Sequence, residues 1–215
     1  IYKYNEVEYI VKEGDILHEA MIGLKGVYDL KNFVKIKGIN SNYVIMEKVD
    51  GIRFDKWIRE KFNWNQYIDI MKRIFEALII ARDKCDFIHY DLTPWNIIIK
   101  DNNIPVIIDF GKSRIKYRGR YYYVYNHCDN TVDIKSIIYK SISIILEKFI
   151  NDNNIIKGII KLINLFTNKN NIYEIKRFLK VRTNYDNIVF GDEGKYNIKI
   201  EYLIKYIHKN TSCKD

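Results

Sequence analysis

Two short β-branched runs, at residues 97–99 and 106–108, constrain the fold of this chain more than any other feature. They flank the turn-rich residues 101–103, and this pattern predicts a β-hairpin. Asn96 stands immediately before the first run and Asp109 immediately after the second. We therefore expect these two polar side chains to lie close together at the open end of the hairpin.

The residues around this hairpin form two motifs. Residues 89–96 read H-x-D-L-x-x-x-N, and residues 109–111 read D-F-G. Each short pattern alone is weak, but the full loop followed at this spacing by the second motif is much more specific. Together they resemble the catalytic loop and the metal-binding segment of the protein kinase superfamily.

This resemblance implies phosphoryl transfer from Mg-ATP, a reaction in which most of the catalysis is positioning and charge neutralisation. It implies that Asp91 orients the substrate hydroxyl or accepts its proton. It also implies that Asn96 and Asp109 hold Mg²⁺ against the phosphates of ATP. Their amide and carboxylate oxygens are suitable ligands for this hard cation.

The N-terminal residues predict a small sheet and a helix. Strands are expected at residues 2–4 and 7–12, and Asp15 is expected to cap a helix over residues 16–25. The helical spacing predicts a core-facing stripe, formed by Leu17, Ala20, Met21 and Leu24. By resemblance, Lys12 is the strand lysine that contacts the α- and β-phosphates, and Glu19 is the helix glutamate that pairs with it.

Two further strands are predicted at residues 33–36 and 43–46, around a turn at residues 38–40. The stretch from Met46 to Gly51 resembles the kinase hinge. The resemblance implies that Met46 closes the back of the adenine pocket. It also implies that the backbones of Glu47 and Val49 bond the adenine edge.

The remainder of the chain predicts helices. They are expected at residues 54–61, 65–85, about 131–150, 154–166, 172–180 and 199–209. Asp133 resembles the buried aspartate that braces the kinase catalytic loop. We therefore predict an α+β, two-lobed, protein-kinase-like fold. Its reduced, β-rich N-lobe spans residues 1–47, and its mainly helical C-lobe spans residues 48–215.

The net charge of +9 favours acidic partners. Five basic residues alternate with others between Lys112 and Arg120, and a strand would place all five on one face. The alternatives are a solvated edge and a surface that attracts anions beside Asp109. We expect an acidic or phosphorylated protein substrate, with nucleic acid ranked lower and no membrane partner.

Several kinase features are missing from the sequence. No G-x-G-x-x-G loop occurs, so it is either absent or lies upstream of Ile1. Tyr90 replaces the arginine that reads an activation-loop phosphate, and Thr93 replaces a lysine common in serine/threonine kinases. Only 21 residues separate Gly111 from Asp133. We expect no phosphorylation switch, and activity either as made or with an activating partner protein.

Local motifs are similar to the small kinase of the KEOPS complex and to aminoglycoside and choline phosphotransferases. Three hypotheses follow: a serine/threonine-type protein kinase, a small-molecule phosphotransferase, and a pseudokinase that acts as a binding module. No signal peptide or membrane-spanning run is evident, and the three cysteines predict no disulfide framework. We expect a cytoplasmic protein, in the host cytoplasm or nucleus if the AT-rich residue usage reflects a virus.

Overall fold

The computed structural model describes residues 1–4, 7–14, 16–125, 131–164 and 171–182. An antiparallel sheet forms the N-terminal part, and a mainly helical part follows it. This arrangement confirms the predicted α+β fold. The Asp15 cap and the helix predicted at residues 199–209 lie outside the described residues.

The N-terminal sheet has four strands in the order β1-β2-β4-β3. The strands are β1 Tyr2–Tyr4, β2 Val7–Glu13, β3 Ile36–Ile39 and β4 Tyr43–Glu47. The predicted turn at residues 38–40 is wrong, because β3 begins and ends three residues later than expected. The turn follows Asn40, whose Oδ1 accepts hydrogen bonds from the N–H groups of Asn42 and Tyr43 at 2.8 and 3.0 Å.

Helix α1, Leu17–Met21, continues as a wider π-helical turn, Ile22–Gly26. The predicted core-facing stripe is wrong at Leu17, which is 62% exposed, whereas Glu19 is only 3% exposed. Met21 and Leu24 are half-buried, and Ala20 is fully buried as expected. Glu19 faces inward because its carboxylate pairs with Lys12. Apolar periodicity alone does not indicate this ion pair.

A bare backbone at Gly23 lets this helical segment approach its neighbours. A Cβ atom at this position would lie 2.3 Å from Cγ1 of Ile36 and 3.5 Å from Cδ2 of Phe110. Such a contact with Ile36 is far inside van der Waals distance, so a larger residue would push the segment away. Gly23 thereby helps to set the depth at which Glu19 enters the interior.

The second sheet contains the hairpin predicted from the sequence. Its strands are β5 Ile52–Arg53, β6 Ile97–Lys100 and β7 Ile104–Ile107, in that order. Asn102 and Asn103 adopt the left-handed backbone, with φ of 59° and 56°, which asparagine tolerates better than most residues. The hairpin register pairs Ile97 with Ile107, so residues 96 and 108 meet at its open end.

The helices of the second part are α2 Phe54–Glu60, α3 Trp64–Cys85, α4 Val132–Phe149, α5 Asn153–Asn164 and α6 Ile172–Arg182. Asn63 caps α3, since its Oδ1 accepts a hydrogen bond from the N–H of Gln66. Helix α4 is buried on nearly every side, and a hydrogen bond of 2.7 Å between Tyr67 and Ser141 ties it to α3. Within the described ranges, no helix is both long and apolar enough to cross a membrane.

The alternating basic stretch does not form one face of a strand. It contributes to a hairpin of β8, Ile115–Tyr117, and β9, Arg120–Tyr122. Arg118 and Gly119 form the turn with φ of 50° and 79°, the positive values that a tight two-residue hairpin turn requires. The prediction of a single anion-attracting face is therefore wrong, because the chain reverses direction inside the stretch.

The basic side chains of this hairpin cover aromatic rings. The guanidinium carbon of Arg114 lies 4.0 Å from the ring centroid of Tyr121, and Lys116 lies 5.5 Å from the same centroid. Arg118 lies 5.3 Å from the ring of Tyr117. Much of the positive charge in the stretch is thus engaged within the hairpin itself.

Candidate active site

Lys12 joins three elements of the structure at one point. Its Nζ donates to Oε2 of Glu19 at 2.6 Å and to Oδ1 of Asp109 at 2.9 Å. The other carboxylate oxygen of Glu19, Oε1, accepts the N–H of Phe110 at 3.3 Å. Strand β2, helix α1 and the segment after β7 therefore meet through one ammonium and two carboxylates, although Lys12 and Glu19 are only seven residues apart.

These contacts shift the protonation equilibria of the groups. Partial burial lowers the pKa of Lys12, but the hydrogen bonds and charges of Glu19 and Asp109 outweigh it and raise the pKa above its ordinary value. Burial raises the pKa of Asp109, but the bond and charge of Lys12 outweigh that effect and lower it. Both groups are therefore charged at neutral pH.

Asn96 and Asp109 stand next to the two strand ends that meet at the open end of the hairpin. The N–H of Ile108 donates to the backbone carbonyl of Asn96 at 3.0 Å, which closes the open end of the hairpin. The side-chain amide of Asn96 donates to the carbonyl of Asp91 at 2.8 Å, and this bond orients its oxygen away from that carbonyl. Asp109 has a left-handed backbone, with φ of 63°, and its side chain is 47% exposed.

His89 connects the loop that carries Asp91 to the hairpin. Its fully buried ring donates through Nε2 to the carbonyl of Ile108 at 2.9 Å. Its Nδ1 accepts the N–H of Asp91 at 3.3 Å. This assignment of donor and acceptor follows from the two partners, since a carbonyl can only accept and an N–H can only donate. His89 thus holds the backbone of Asp91 at a fixed distance from Asp109.

Asp133 braces the same loop from helix α4, as its sequence context indicated. Its two carboxylate oxygens accept the N–H groups of His89 and Tyr90, each at 2.8 Å. Burial raises the pKa of Asp133, and the N–H groups of His89 and Tyr90 together with the charge of Arg82 oppose that rise. The brace holds Tyr90 in a left-handed conformation with φ of 63°, which is rare for a bulky residue.

Removing this brace is expected to destabilise the fold. Asp133→Ala leaves two buried N–H groups without their acceptor, at a cost of about 1–3 kcal/mol for each. Urea denaturation should therefore show a free energy of unfolding lower by several kcal/mol. Ser136→Ala is the matched control on the same helix, because the buried Ser136 hydroxyl makes no hydrogen bond with any of the described residues. A loss below about 1 kcal/mol in Asp133→Ala would contradict the bracing role.

Two lysines beside Asp91 were not singled out from the sequence as site residues. Lys112 Nζ lies 3.1 Å from Oδ2 of Asp91. Lys140, on α4, lies with its Nζ 4.8 Å from the ring centroid of Trp95. Sequence spacing contained a signal for Lys140, since it stands seven residues after Asp133 and two helical turns return to the same face.

Most of the Lys140 side chain is buried, and the residue is 9% exposed. Burial lowers the pKa of Lys140, the charge of Asp91 raises it, and that of Lys112 lowers it further. A cation above an aromatic ring gains about 0.5–2 kcal/mol. The Trp95 ring therefore stabilises the ammonium group at this position.

The residues predicted to form the hinge lie at the end of β4. Met46 is 7% exposed. It lies on β4, whose neighbours in the sheet are β2 and β3. The N–H of Glu47 donates to the carbonyl of Lys35 at 2.9 Å, and its side chain accepts the N–H of Lys35 at the same distance. The N–H of Glu47 thus already donates a hydrogen bond within the protein. Of the two backbone groups of Glu47, only the carbonyl is therefore expected to bond adenine.

Tyr90 occupies the position where the resemblance leads one to expect arginine. Its side chain is 1% exposed, and its ring lies edge-on to that of Tyr125 with centroids 5.9 Å apart. An aromatic pair thus links the catalytic loop to the segment after β9. This apolar contact stands where the resemblance leads one to expect an arginine that binds an activation-loop phosphate.

Comparison with known proteins agrees with this geometry. The family model described as the protein kinase domain matches residues 3–132, more than half of the chain. The chain belongs to the protein kinase family. The match begins within β1 and includes Lys12, Asp91 and Asp109.

Individual relatives are distant. The probable kinase 098L of Invertebrate iridescent virus 3 is 26% identical over 200 residues, which cover 80% of this chain and 37% of that protein. A probable serine/threonine-protein kinase of Clostridium acetobutylicum is 39% identical over 74 residues, covering 34% of this chain and 11% of that protein. The uncharacterized protein 035R of Invertebrate iridescent virus 3 is 25% identical over 112 residues, covering 39% and 10%. The chain thus spans about a tenth of the length of two of these relatives and about a third of the other.

Proposed function

We propose that this protein kinase domain transfers the terminal phosphoryl group of Mg-ATP to a serine or threonine hydroxyl of a protein. The observation that carries the proposal is the position of Lys12, which bonds Glu19 and Asp109 at the same time. A binding scaffold has no need of this arrangement beside Asp91 and Asn96. The names of relatives such as the Clostridium protein support serine or threonine as the acceptor.

The nucleotide is proposed to lie between the two parts of the chain, with the lobe boundary at residue 47. Met46 would close the back of the adenine pocket. The carbonyl of Glu47 and the backbone of Val49 would bond the adenine edge. Lys12, held by Glu19, would contact the phosphates.

Asn96 and Asp109 are proposed as the Mg²⁺ ligands. They fit this ion because they offer one amide oxygen and one carboxylate, and Mg²⁺ takes few protein ligands when phosphates and waters complete its shell. Across the described residues, no cluster of three or more His, Cys, Asp and Glu side chains offers an all-protein metal site. Bound Mg-ATP would supply the phosphoryl group and neutralise charge as it transfers.

Asp91 is proposed as the catalytic carboxylate. Its side chain is 23% exposed, so a substrate hydroxyl can approach it. Its backbone is fixed by His89 and Asn96, and its Oδ2 is paired with Lys112. The other oxygen would orient the hydroxyl and accept its proton, while Lys112 would hold the carboxylate in place.

The two lysines near Asp91 count against the small-molecule alternative. Aminoglycosides and choline are cations, and two ammonium groups at the acceptor side would repel them. The pseudokinase alternative draws its support from the missing glycine-rich loop. Against it stands the presence of all four residues, with Lys12 bonded to Asp109 and Asn96 bonded to Asp91.

One labelling experiment separates these alternatives. The purified protein is incubated with Mg²⁺ and γ-labelled ATP, and acidic proteins, basic proteins and aminoglycosides are tested as separate acceptors. We expect label on serine or threonine of a protein. Label on the aminoglycoside alone would show the small-molecule activity. Nucleotide binding without any transfer would show a binding module.

A further inference from the structure

The ammonium group of Lys140 indicates a binding site that the proposed reaction does not use. The residue is 9% exposed, so most of its side chain is buried, and its Nζ lies 4.8 Å from the ring centroid of Trp95. Among the residues that the structure describes, no carboxylate lies within ion-pair distance of this Nζ. An anion of a ligand that reached the ammonium group would supply the charged partner that these residues do not.

The position of Lys140 identifies the part of a ligand that would reach it. Trp95 follows Asp91 by four residues in the same loop, and its ring is 42% exposed. The Nζ of Lys112 lies 3.1 Å from Oδ2 of Asp91. The charges of Asp91 and Lys112 both act on Lys140. Two ammonium groups and one exposed indole thus surround the carboxylate that a substrate hydroxyl must approach.

We propose that Lys140, Trp95 and Lys112 form an acceptor-side subsite for an anionic group that is close in sequence to the phosphorylated hydroxyl of a protein substrate. The proposal rests on the proposed protein kinase function. The anion is a carboxylate or a phosphate, since both accept charge-assisted hydrogen bonds from ammonium groups. The exposed indole packs against the neighbouring part of the substrate chain.

The geometry favours a peptide over a nucleic acid. Single strands are bound by successive aromatic rings along a positively charged groove. Here the exposed ring of Trp95 lies beside one ammonium group, and the basic residues Arg114 and Lys116 cover the ring of Tyr121. This arrangement selects one anion at a fixed distance from Asp91.

Binding tests the subsite without requiring transfer. Fluorescent peptides with alanine at the acceptor position carry Asp, phosphoserine or Asn beside it, and their dissociation constants are measured by anisotropy with the intact chain. We expect the Asp and phosphoserine peptides to bind on the order of tenfold more tightly than the Asn peptide, the size of one charge-assisted hydrogen bond. Whichever of the two binds more tightly identifies the natural anion.

Lys140→Met removes the charge and keeps an apolar side chain of similar length. We expect it to abolish the preference for the charged peptides. Lys148→Met is the matched control on the same helix, because Lys148 lies over Phe149 and bonds the carbonyl of Arg59, away from Asp91. Thermal unfolding of Lys140→Met checks its fold.

The same peptides with serine at the acceptor position give the kinetic test. We expect the ratio of kcat/KM for the Asp peptide to that for the Asn peptide to fall about tenfold in Lys140→Met and to stay unchanged in Lys148→Met. The change should appear in KM, because the subsite binds substrate without touching the transferred group.

The outcomes separate this inference from the proposed function. Equal binding of all three peptides by the parent chain overturns the subsite, whatever the transfer activity. An anion preference that survives in Lys140→Met overturns it as well. Lys140-dependent binding with no transfer to any peptide supports the subsite and refutes the kinase activity. Tighter, Lys140-dependent binding of a single-stranded oligonucleotide would overturn the assignment to a protein substrate.

Discussion

Asp91→Asn should lower the rate of phosphoryl transfer by about 10²–10⁴-fold, the contribution of a positioned general base. The amide has nearly the shape of the carboxylate, but it cannot accept the hydroxyl proton. It also loses the charge that pairs with Lys112 at 3.1 Å. The measurement is single-turnover transfer to a peptide at saturating Mg-ATP, so that the chemical step is observed directly.

Nucleotide affinity should change little in this variant, because Asp91 is proposed to touch the acceptor and not ATP. Asp83→Asn is the matched control, since it makes the same change at an exposed position on α3. A variant Asp91→Asn that transfers phosphate at the parental rate would show that another group accepts the proton.

Asp109→Asn should remove at least about half of the stabilisation that Mg-ATP gives to the fold. A ligand present at a hundred times its dissociation constant stabilises a protein by about 2.7 kcal/mol. A tenfold loss of affinity would lower this stabilisation to about 1.4 kcal/mol, and we expect at least that loss. The replacement keeps a residue type that tolerates the left-handed backbone at φ 63°, so the effect reports on charge and metal binding.

The measurement is thermal or urea unfolding with and without Mg-ATP for each variant, so that changes in the ligand-free fold cancel. Asp101→Asn serves as the control, because Asp101 is exposed at the closed end of the same hairpin. An undiminished shift in Asp109→Asn would place the nucleotide or its metal elsewhere. The same experiment without Mg²⁺ distinguishes lost metal binding from lost contact with Lys12.

Local sequence signals were sufficient for the parts of the site that lie on one hairpin. The β-branched runs and the turn between them predict which residues meet at the open end of the hairpin, because a hairpin register follows from its turn. Asn96 and Asp109 stand at that end. The Lys12–Glu19 contact was inferred by resemblance and is confirmed by the structure. It depends on packing of α1 against the sheet, which Gly23 permits and no local pattern encodes.

The wrong predictions concern segments in which tertiary contacts override the periodicity of the local sequence. Alternation from Lys112 to Arg120 predicted one continuous strand, but the positive φ of Arg118 and Gly119 reverses the chain. Apolar spacing assigned Leu17 to the core, but the ion pair of Glu19 rotates α1 the other way. The helix predicted over about residues 131–150 does not indicate a role for Lys140, since only the fold brings α4 against Trp95.

The bonds that Lys12 makes to Glu19 and Asp109 tie β2, α1 and the segment after β7 together at one point. When the binding-competent state of a protein is a minor one, the apparent dissociation constant of its ligand rises by the inverse of that population. Bonds that hold three elements in one arrangement limit this loss at the proposed nucleotide site. A regulator of this domain would then act more effectively on the access of acceptors to Asp91.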